Sequence, residues 1–141
     1  MVSIKYASTE DEVAQIYTLI RGVRDIKIFL GGSLDPARAR SAAETKSLLV
    51  AKESDIVVGF MYFHLRKDGG ATVYDIAVHP DYRRKGIASM LLHVLPSNVR
   101  IKVMDSNANM KLFLRAHGFR KMSCEKYLTA NGGKIIAVYE K

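Results

Sequence analysis

The chain has 141 residues, of which 48% are hydrophobic and 26% charged, and this size and composition suit one domain with a continuous core. We expect a single domain over residues 1–141 and a cytoplasmic protein, because neither a run of 18 apolar residues nor a secretion signal is present. The net charge of +8 favours anionic partners, while a lone Cys124 and four scattered histidines predict neither a disulfide nor a metal site.

Two helices are predicted in the first third of the chain. Ser8 and Thr9 have capping-box spacing to the acidic residues that follow, and apolar residues then recur at helical intervals to about Arg21. An Asp-Pro pair is typical of a helix start and opens a second helix, from Asp35 to about Thr45.

Three strands are predicted in the middle of the chain. β-Branched and aromatic residues from Leu48 to Glu53 and from Ile56 to Leu65 indicate a hairpin. A glycine turn then leads into a strand from Thr72 to Val78. Alternation along that strand would place Tyr74, Ile76 and Val78 on one face and Val73, Asp75 and Ala77 on the other.

A helix, a strand and another helix are expected next. Apolar residues at helical spacing follow Gly86 until Pro96 ends the pattern. Residues Val99–Val103 read as a strand. Asn107 begins a further helix, and Gly118 stands where a helix C-terminus favours a left-handed residue.

A hairpin closes the predicted fold. Strands from about Phe119 to Leu128 and from Lys134 to Glu140 flank a turn at Asn131–Gly133. The order of elements predicts an α/β (α+β) fold with helices packed on a mixed, mostly antiparallel sheet.

The residues between the third strand and the next helix are typical of an anion-binding site. Arg83, Arg84 and Lys85 precede Gly86, where the missing side chain lets a ligand approach the backbone. Free N–H groups at a helix start carry partial positive charge, which suits a pyrophosphate better than a base edge. A solvated, basic helix start would account for the same residues.

The stretch I-A-V-H-P-D-Y-R-R-K-G-I-A resembles the acetyl-CoA motif of the GNAT acetyltransferase superfamily, R/Q-x-x-G-x-G/A, with Arg83, Gly86 and Ala88 at the defined positions. The downstream asparagine and Gly-Phe pattern of the family is matched by Asn107 and Gly118. The resemblance implies a GNAT fold with splayed central strands and about four flanking helices. It also implies N-acetyltransferase activity with acetyl-CoA as co-substrate and no metal.

The resemblance further implies which residues contact acetyl-CoA. The pyrophosphate would meet the turn and helix start, and the pantetheine arm would pair with the preceding strand. A backbone N–H near Ile76 would bind the developing oxyanion while an amine attacks directly in a ternary complex. Lys111 and Arg115 are candidates for the adenosine phosphate. The implied cofactor-binding residues are Ile76, Ala77, Val78, Arg83, Arg84, Lys85, Gly86, Ile87, Ala88, Ser89 and Asn107.

Two residues are candidates for acid and base catalysis. Glutamates that other members carry on the splayed strands are replaced here by Thr72 and Lys102, whereas Asp75 matches an acidic position of polyamine-type members. Asp75 is therefore the candidate base or cation anchor, with a purely structural carboxylate as the alternative. Leu114 stands where members carry a tyrosine acid, so Tyr127 is the candidate substitute, with a half-buried strand tyrosine as the alternative.

The sequence thus predicts acetyl transfer from acetyl-CoA to a primary amine on a small molecule or a peptide. No membrane partner is expected, and nucleic acid is disfavoured because no helix-turn-helix, zinc finger or aromatic RNA platform is present. Two other functions stay open: a catalytically weak acyl-CoA-binding sensor and a basic nucleic-acid-binding module. The identity of the acceptor and the formation of a homodimer are equally open.

Overall fold

The computed structural model describes residues 1–22, 36–129 and 132–141. The strands are β1 (Val2–Tyr6), β2 (Leu48–Glu53), β3 (Ile56–Leu65), β4 (Ala71–Val78), β5 (Val99–Met104), β6 (Arg120–Thr129) and β7 (Gly132–Glu140). The helices are α1 (Glu10–Gly22), α2 (Pro36–Glu44), α3 (Ile87–His93) and α4 (Ala108–Ala116). Among the described residues, no helix is long and apolar enough to cross a membrane.

The strands form one seven-stranded sheet in the order β1-β2-β3-β4-β5-β7-β6. Its first strand is absent from the sequence prediction. β1 pairs antiparallel with β2, from Val2 with Glu53 to Tyr6 with Leu49. None of its five side chains is fully buried, so the hydrophobic pattern is weak, and its partner strand lies far along the chain.

Helices cover both faces of the sheet. α1 and α2 pack on one face, where Ile16 is fully buried, and α3 and α4 pack on the other, where Leu91 is fully buried. Neighbouring residues of β2 alternate between the two clusters, Leu48 in the first and Leu49 in the second, so the clusters lie on opposite sides. We call these sides the α1 face and the α3 face. The predicted mixed α/β fold is confirmed.

The central strands β4 and β5 run parallel and then separate. Their ladder contains three pairs, Ala71 with Val99, Thr72 with Arg100 and Val73 with Ile101. β4 continues to Val78 beyond the end of this ladder, so backbone groups that face the gap are left for a ligand. The predicted splay of the central strands is confirmed.

A β-bulge at Tyr74 changes the faces that β4 side chains occupy. Asp75 pairs with Tyr62, but the next residue of β3 pairs with Val73, so Tyr74 is an extra residue in β4. Its ring lies 5.6 Å from the ring of Tyr62, which packs against the α1-face core, whereas Val73 belongs to the α3-face core. The predicted strict alternation is therefore wrong here: Tyr74 lies with Asp75 on the α1 face.

Glu12, in the first turn of α1, is a carboxylate only 1% exposed. Its Oε2 lies 2.7 Å from Nζ of Lys5 and 3.1 Å from Nζ of Lys52. Oε1 accepts hydrogen bonds from the backbone N–H groups of Ser8 and Thr9, at 2.9 and 3.2 Å, which completes the predicted capping box. Burial alone would raise the pKa of Glu12, but these hydrogen bonds hold it well below its usual range. Glu12 thus ties α1 to β1 and β2.

Candidate active site

A cleft of about 530 Å³ opens on the α3 face. It is lined by Ile76, Ala77, Val78, Tyr82, Arg83, Arg84, Gly86, Ile87, Ala88, Ser89, Asn107, Asn109, Met110 and Phe113. The fold therefore brings together all but one of the residues expected to contact a cofactor. The exception is Lys85, which does not line the cleft and has its Nζ 5.3 Å from the centroid of the Tyr82 ring.

The turn between β4 and α3 presents its backbone to the cleft. After a 3-10 turn at Pro80–Tyr82, Arg84 and Gly86 have positive φ angles of 64° and 78°, on either side of Lys85. N–H groups in a backbone of alternating handedness converge and form an anion-binding concavity. A Cβ added at Gly86 would meet no atom of the described residues within 4 Å, so the space beside it is open to a ligand.

Arg83 holds this turn in place. Its Nε donates a hydrogen bond of 2.9 Å to the carbonyl oxygen of Val78, at the end of β4. The N–H of Tyr82 donates to the carbonyl oxygen of His79 at 2.9 Å, which closes the turn from the other side. Since the backbone is fixed before any ligand arrives, less conformational entropy is lost on binding. Arg83 and Lys85, two of the three cations before Gly86, thus have different neighbours: Arg83 bonds to β4, and Lys85 lies beside the Tyr82 ring.

Helices α3 and α4 are linked beside the cleft by His117. Its Nδ1 lies 2.8 Å from the carbonyl oxygen of Phe113, and its Nε2 lies 3.0 Å from Oγ of Ser89. Because a carbonyl oxygen only accepts, Nδ1 carries the hydrogen, and Nε2 of the neutral ring accepts from the Ser89 hydroxyl. No local pattern predicts this contact, since Ser89 and His117 are far apart in the chain.

Lys111, a candidate for the adenosine phosphate, contacts Asp105. Its Nζ donates to the carboxylate of Asp105 at 3.1 Å and to the backbone oxygen of the same residue at 3.2 Å. The hydrogen bond and charge of Lys111, with a smaller contribution from Lys121, lower the pKa of the Asp105 carboxyl. Lys111 is therefore engaged in a local ion pair.

A second cavity, of about 20 Å³, lies in the gap between β4 and β5. Ile76, Asn107 and Met110 line both this gap and the large cleft. The cleft on the α3 face and the gap in the sheet therefore adjoin. Asp75 and Lys102 also line the gap, so two ionisable side chains stand where the cleft meets the central strands.

Asp75, which is 5% exposed, lies in a polar group on the α1 face. Burial raises the pKa of Tyr62, the charge of Arg38 on α2 opposes this shift, and the neighbouring Tyr74 and Asp75 add to it. Asp75 and Arg38 are therefore both close enough to act on Tyr62. We call Arg38, Tyr62, Tyr74 and Asp75 the α1-face polar cluster.

The other candidate residues have varied surroundings. Leu114 is fully buried in the α3-face core. The hydroxyl of buried Thr72 accepts from Arg66 at 3.1 Å, and Nζ of Lys102 lies 3.4 Å from Oε2 of Glu125. Tyr127 lies on β6, but its side chain is outside the described residues, as are Asp35 and Asn131.

Four residues line the cleft that were not predicted to contact a cofactor: Tyr82, Asn109, Met110 and Phe113. Met110 and Phe113 recur at helical spacing after Asn107, a pattern that usually indicates core packing. Both do pack against the α3-face core, at the point where it opens into the cleft. The helical spacing of apolar residues after the Asn107 cap is the sequence feature that could have indicated them.

Comparisons with known proteins agree with this architecture. Ard1 from Thermoplasma volcanium is 19% identical, with a TM-score of 0.77 over 98% of this chain and 95% of that chain. Arabidopsis thaliana Naa50, in complex with the bisubstrate analogue CoA-Ac-MVNAL, is 19% identical, with a TM-score of 0.71 over 99% and 97%. Salmonella typhimurium yncA, with its cofactor acetyl-CoA, is 17% identical, with a TM-score of 0.73 over 100% and 93%. These similarities establish the fold.

A search of curated proteins finds no match. A family model described as an acetyltransferase (GNAT) domain matches residues 44–121, more than half of the chain. The matched range contains the splayed strands, the turn with Arg84 and Gly86, and Asn107 at the start of α4. The suspected resemblance is confirmed, and the chain belongs to the GNAT family of acetyltransferases.

Proposed function

We propose that this protein transfers an acetyl group from acetyl-CoA to a primary amine, by direct attack of the amine while both substrates are bound. The observation that carries this proposal is that the 530 Å³ cleft adjoins the gap between β4 and β5, with Ile76, Asn107 and Met110 lining both. A donor in the cleft and an acceptor on the α1 face could meet in that gap. Acetyl-CoA, when bound, supplies an activated acyl group with a thiol as leaving group.

The described residues fit such a donor. N–H groups from Arg84 through Ser89 hold the pyrophosphate, on a turn that Arg83 fixes to the end of β4. The backbone of β4 beyond Val73 pairs with the pantetheine arm, and the N–H of Ile76 donates to the acyl oxygen as negative charge develops there. The acetyl-CoA bound to yncA and the CoA analogue bound to Naa50 support this choice of donor.

Asp75 is proposed to receive the amine. A lysine-like amine has a pKa near 10.4, so only about one part in 10³ is neutral at pH 7 and a base or anchor is required. Asp75 lines the gap and belongs to the α1-face polar cluster, opposite the cleft. Cys124 is exposed on the edge strand β6, and direct transfer needs no cysteine nucleophile.

Protonation of the leaving thiolate is a lesser requirement. A thiol has a pKa near 8.5, so the thiolate is a stable leaving group at neutral pH. Leu114 carries no proton to donate, and Tyr127 remains the proposed substitute. If no protein acid is needed, Tyr127→Phe keeps near-parental turnover.

Thiol release with a panel of amines tests the function. The panel contains a polyamine, an aminoglycoside, free amino acids, a lysine peptide and peptides with free N-termini, among them MVNAL, the peptide part of the Naa50 analogue. We expect at least one class to accelerate thiol release, with an acetylated product in the mass spectrum. Calorimetric binding of acetyl-CoA without acetylation of any amine would instead support the sensor, which the buried Leu114 and the residues Thr72 and Lys102 favour.

Asp75→Asn is expected to reduce kcat about 10²-fold if Asp75 is the base. If it only anchors the ammonium, the loss appears mainly as a raised KM. Steady-state kinetics with the best amine of the panel distinguish the two. Asp55→Asn, in the exposed β2–β3 turn, removes the same charge far from the gap and is the control. Equal kinetics for Asp75→Asn and the parent would remove Asp75 from the site.

A further inference from the structure

The gap between β4 and β5 has room for only a short acyl group. Its volume of about 20 Å³ is small beside the 530 Å³ of the adjoining cleft. If the donor lies as proposed above, its acyl group enters this gap, so the dimensions of the gap select the donor. The inference below rests on that proposed function.

Met110 is the long side chain at the junction of cleft and gap. Asn107 caps α4, and its Oδ1 accepts a hydrogen bond of 3.3 Å from the N–H of Met110. This bond fixes the first turn of α4 and so places Met110 where both cavities meet. Ile76 and Asn107 also line both cavities, but Ile76 is part of strand β4 and Asn107 caps α4. Met110 is therefore the residue whose truncation enlarges the passage with least change to the backbone.

The remaining walls of the gap are held by the sheet. Val73 and Ile101 form the last pair of the β4–β5 ladder and are fully buried in the α3-face core. On the other side, Lys102 is drawn toward Glu125 by their ion pair. These walls cannot retreat without disturbing the ladder or the core. Met110 packs at the edge of the core, but it is only half-buried and also lines the cleft.

We propose that Met110 sets the acyl-chain limit of this protein, which takes acetyl and propionyl groups but discriminates against butyryl and longer chains. A methionine is flexible, so the limit is graded rather than absolute. The expected discrimination is about 10-fold, the lower end of what a misfitting methylene produces. Shortening residue 110 should join the gap to the cleft and remove most of this preference.

Calorimetric binding of CoA, acetyl-CoA, propionyl-CoA and butyryl-CoA tests the proposal without any acceptor. We expect the parent to bind butyryl-CoA about 10-fold more weakly than acetyl-CoA, and Met110→Ala to bind the two within about threefold. Met110→Val should fall between them and serves if the alanine variant is unstable. Met122→Ala, at an exposed position of β6, should keep the parental preference.

Two results would overturn the assignment of Met110. One is a parent that binds butyryl-CoA as tightly as acetyl-CoA; the other is a folded Met110→Ala or Met110→Val protein with the parental preference. Failure of the parent to bind any of the four compounds, CoA included, would contradict the proposed function itself. The two failures are thus distinguishable in one set of titrations.

Discussion

Gly86→Asp is expected to weaken acetyl-CoA binding at least about 100-fold in a protein that remains folded. A side chain at this position would stand in open space beside converging N–H groups, because a Cβ there meets no described atom within 4 Å. The added carboxylate would satisfy those N–H groups and repel the pyrophosphate. The φ angle of 78° adds backbone strain of about 1–2 kcal/mol.

Gly69→Asp is the matched control for this variant. Gly69 also has a positive φ angle, 87°, and an added Cβ there likewise has no neighbour within 4 Å in the described part of the chain. It lies in the turn between β3 and β4, outside the cleft lining. The control carries similar strain and the same charge but should keep parental affinity. Calorimetry on folded protein decides: unchanged affinity of Gly86→Asp would remove the turn from the donor site.

Glu12→Gln is expected to lower the free energy of unfolding by about 3 kcal/mol. The substitution leaves Lys5 and Lys52 beside a neutral amide in a buried position, and it weakens the hydrogen bonds from Ser8 and Thr9. Denaturant unfolding monitored by circular dichroism measures the loss. Asp11→Asn, at an exposed neighbour in the same turn, removes the same charge and should change stability by less than about 0.5 kcal/mol.

The stabilisation by Glu12 should also depend on pH. The folded-state pKa of Glu12 lies well below the ordinary value of 4.5, so the folded protein binds the proton more weakly than the unfolded chain. The contribution is therefore complete above pH 4.5 and is lost progressively as the pH falls toward the folded-state pKa. The stability difference between the parent and Glu12→Gln should shrink over that acidic range. A difference that stays constant down to pH 2.5 would contradict this account.

Local periodicity was sufficient to predict most of the fold. The hairpin of β2 and β3 was predicted with its observed bounds, because β-branched and aromatic residues fill both strands and a polar turn separates them. The glycine at residue 86 and the cap at Asn107 followed from their conformational preferences, which depend on few neighbours. These residues define the two ends of the candidate site.

Features that depend on distant partners could not be predicted. β1 exists because β2 offers it an edge, and its own residues carry little hydrophobic signal. The contact of Ser89 with His117 joins two helices, and the Tyr74 bulge arises from the register between β3 and β4. Neither pattern can be recognised without knowing which elements are neighbours.

The extra residue at position 74 also governs how this chain should be compared with its relatives. A relative whose strand lacks the bulge has one residue fewer in β4. If the two sequences are aligned across β4 without a gap, each residue on one side of the bulge is matched with a residue that faces the opposite side of the sheet. A role transferred to Asp75 by such an alignment would belong to a residue on the opposite side of the sheet. Comparison of catalytic positions with a relative that lacks the bulge therefore requires superposed strands, with the gap placed at Tyr74.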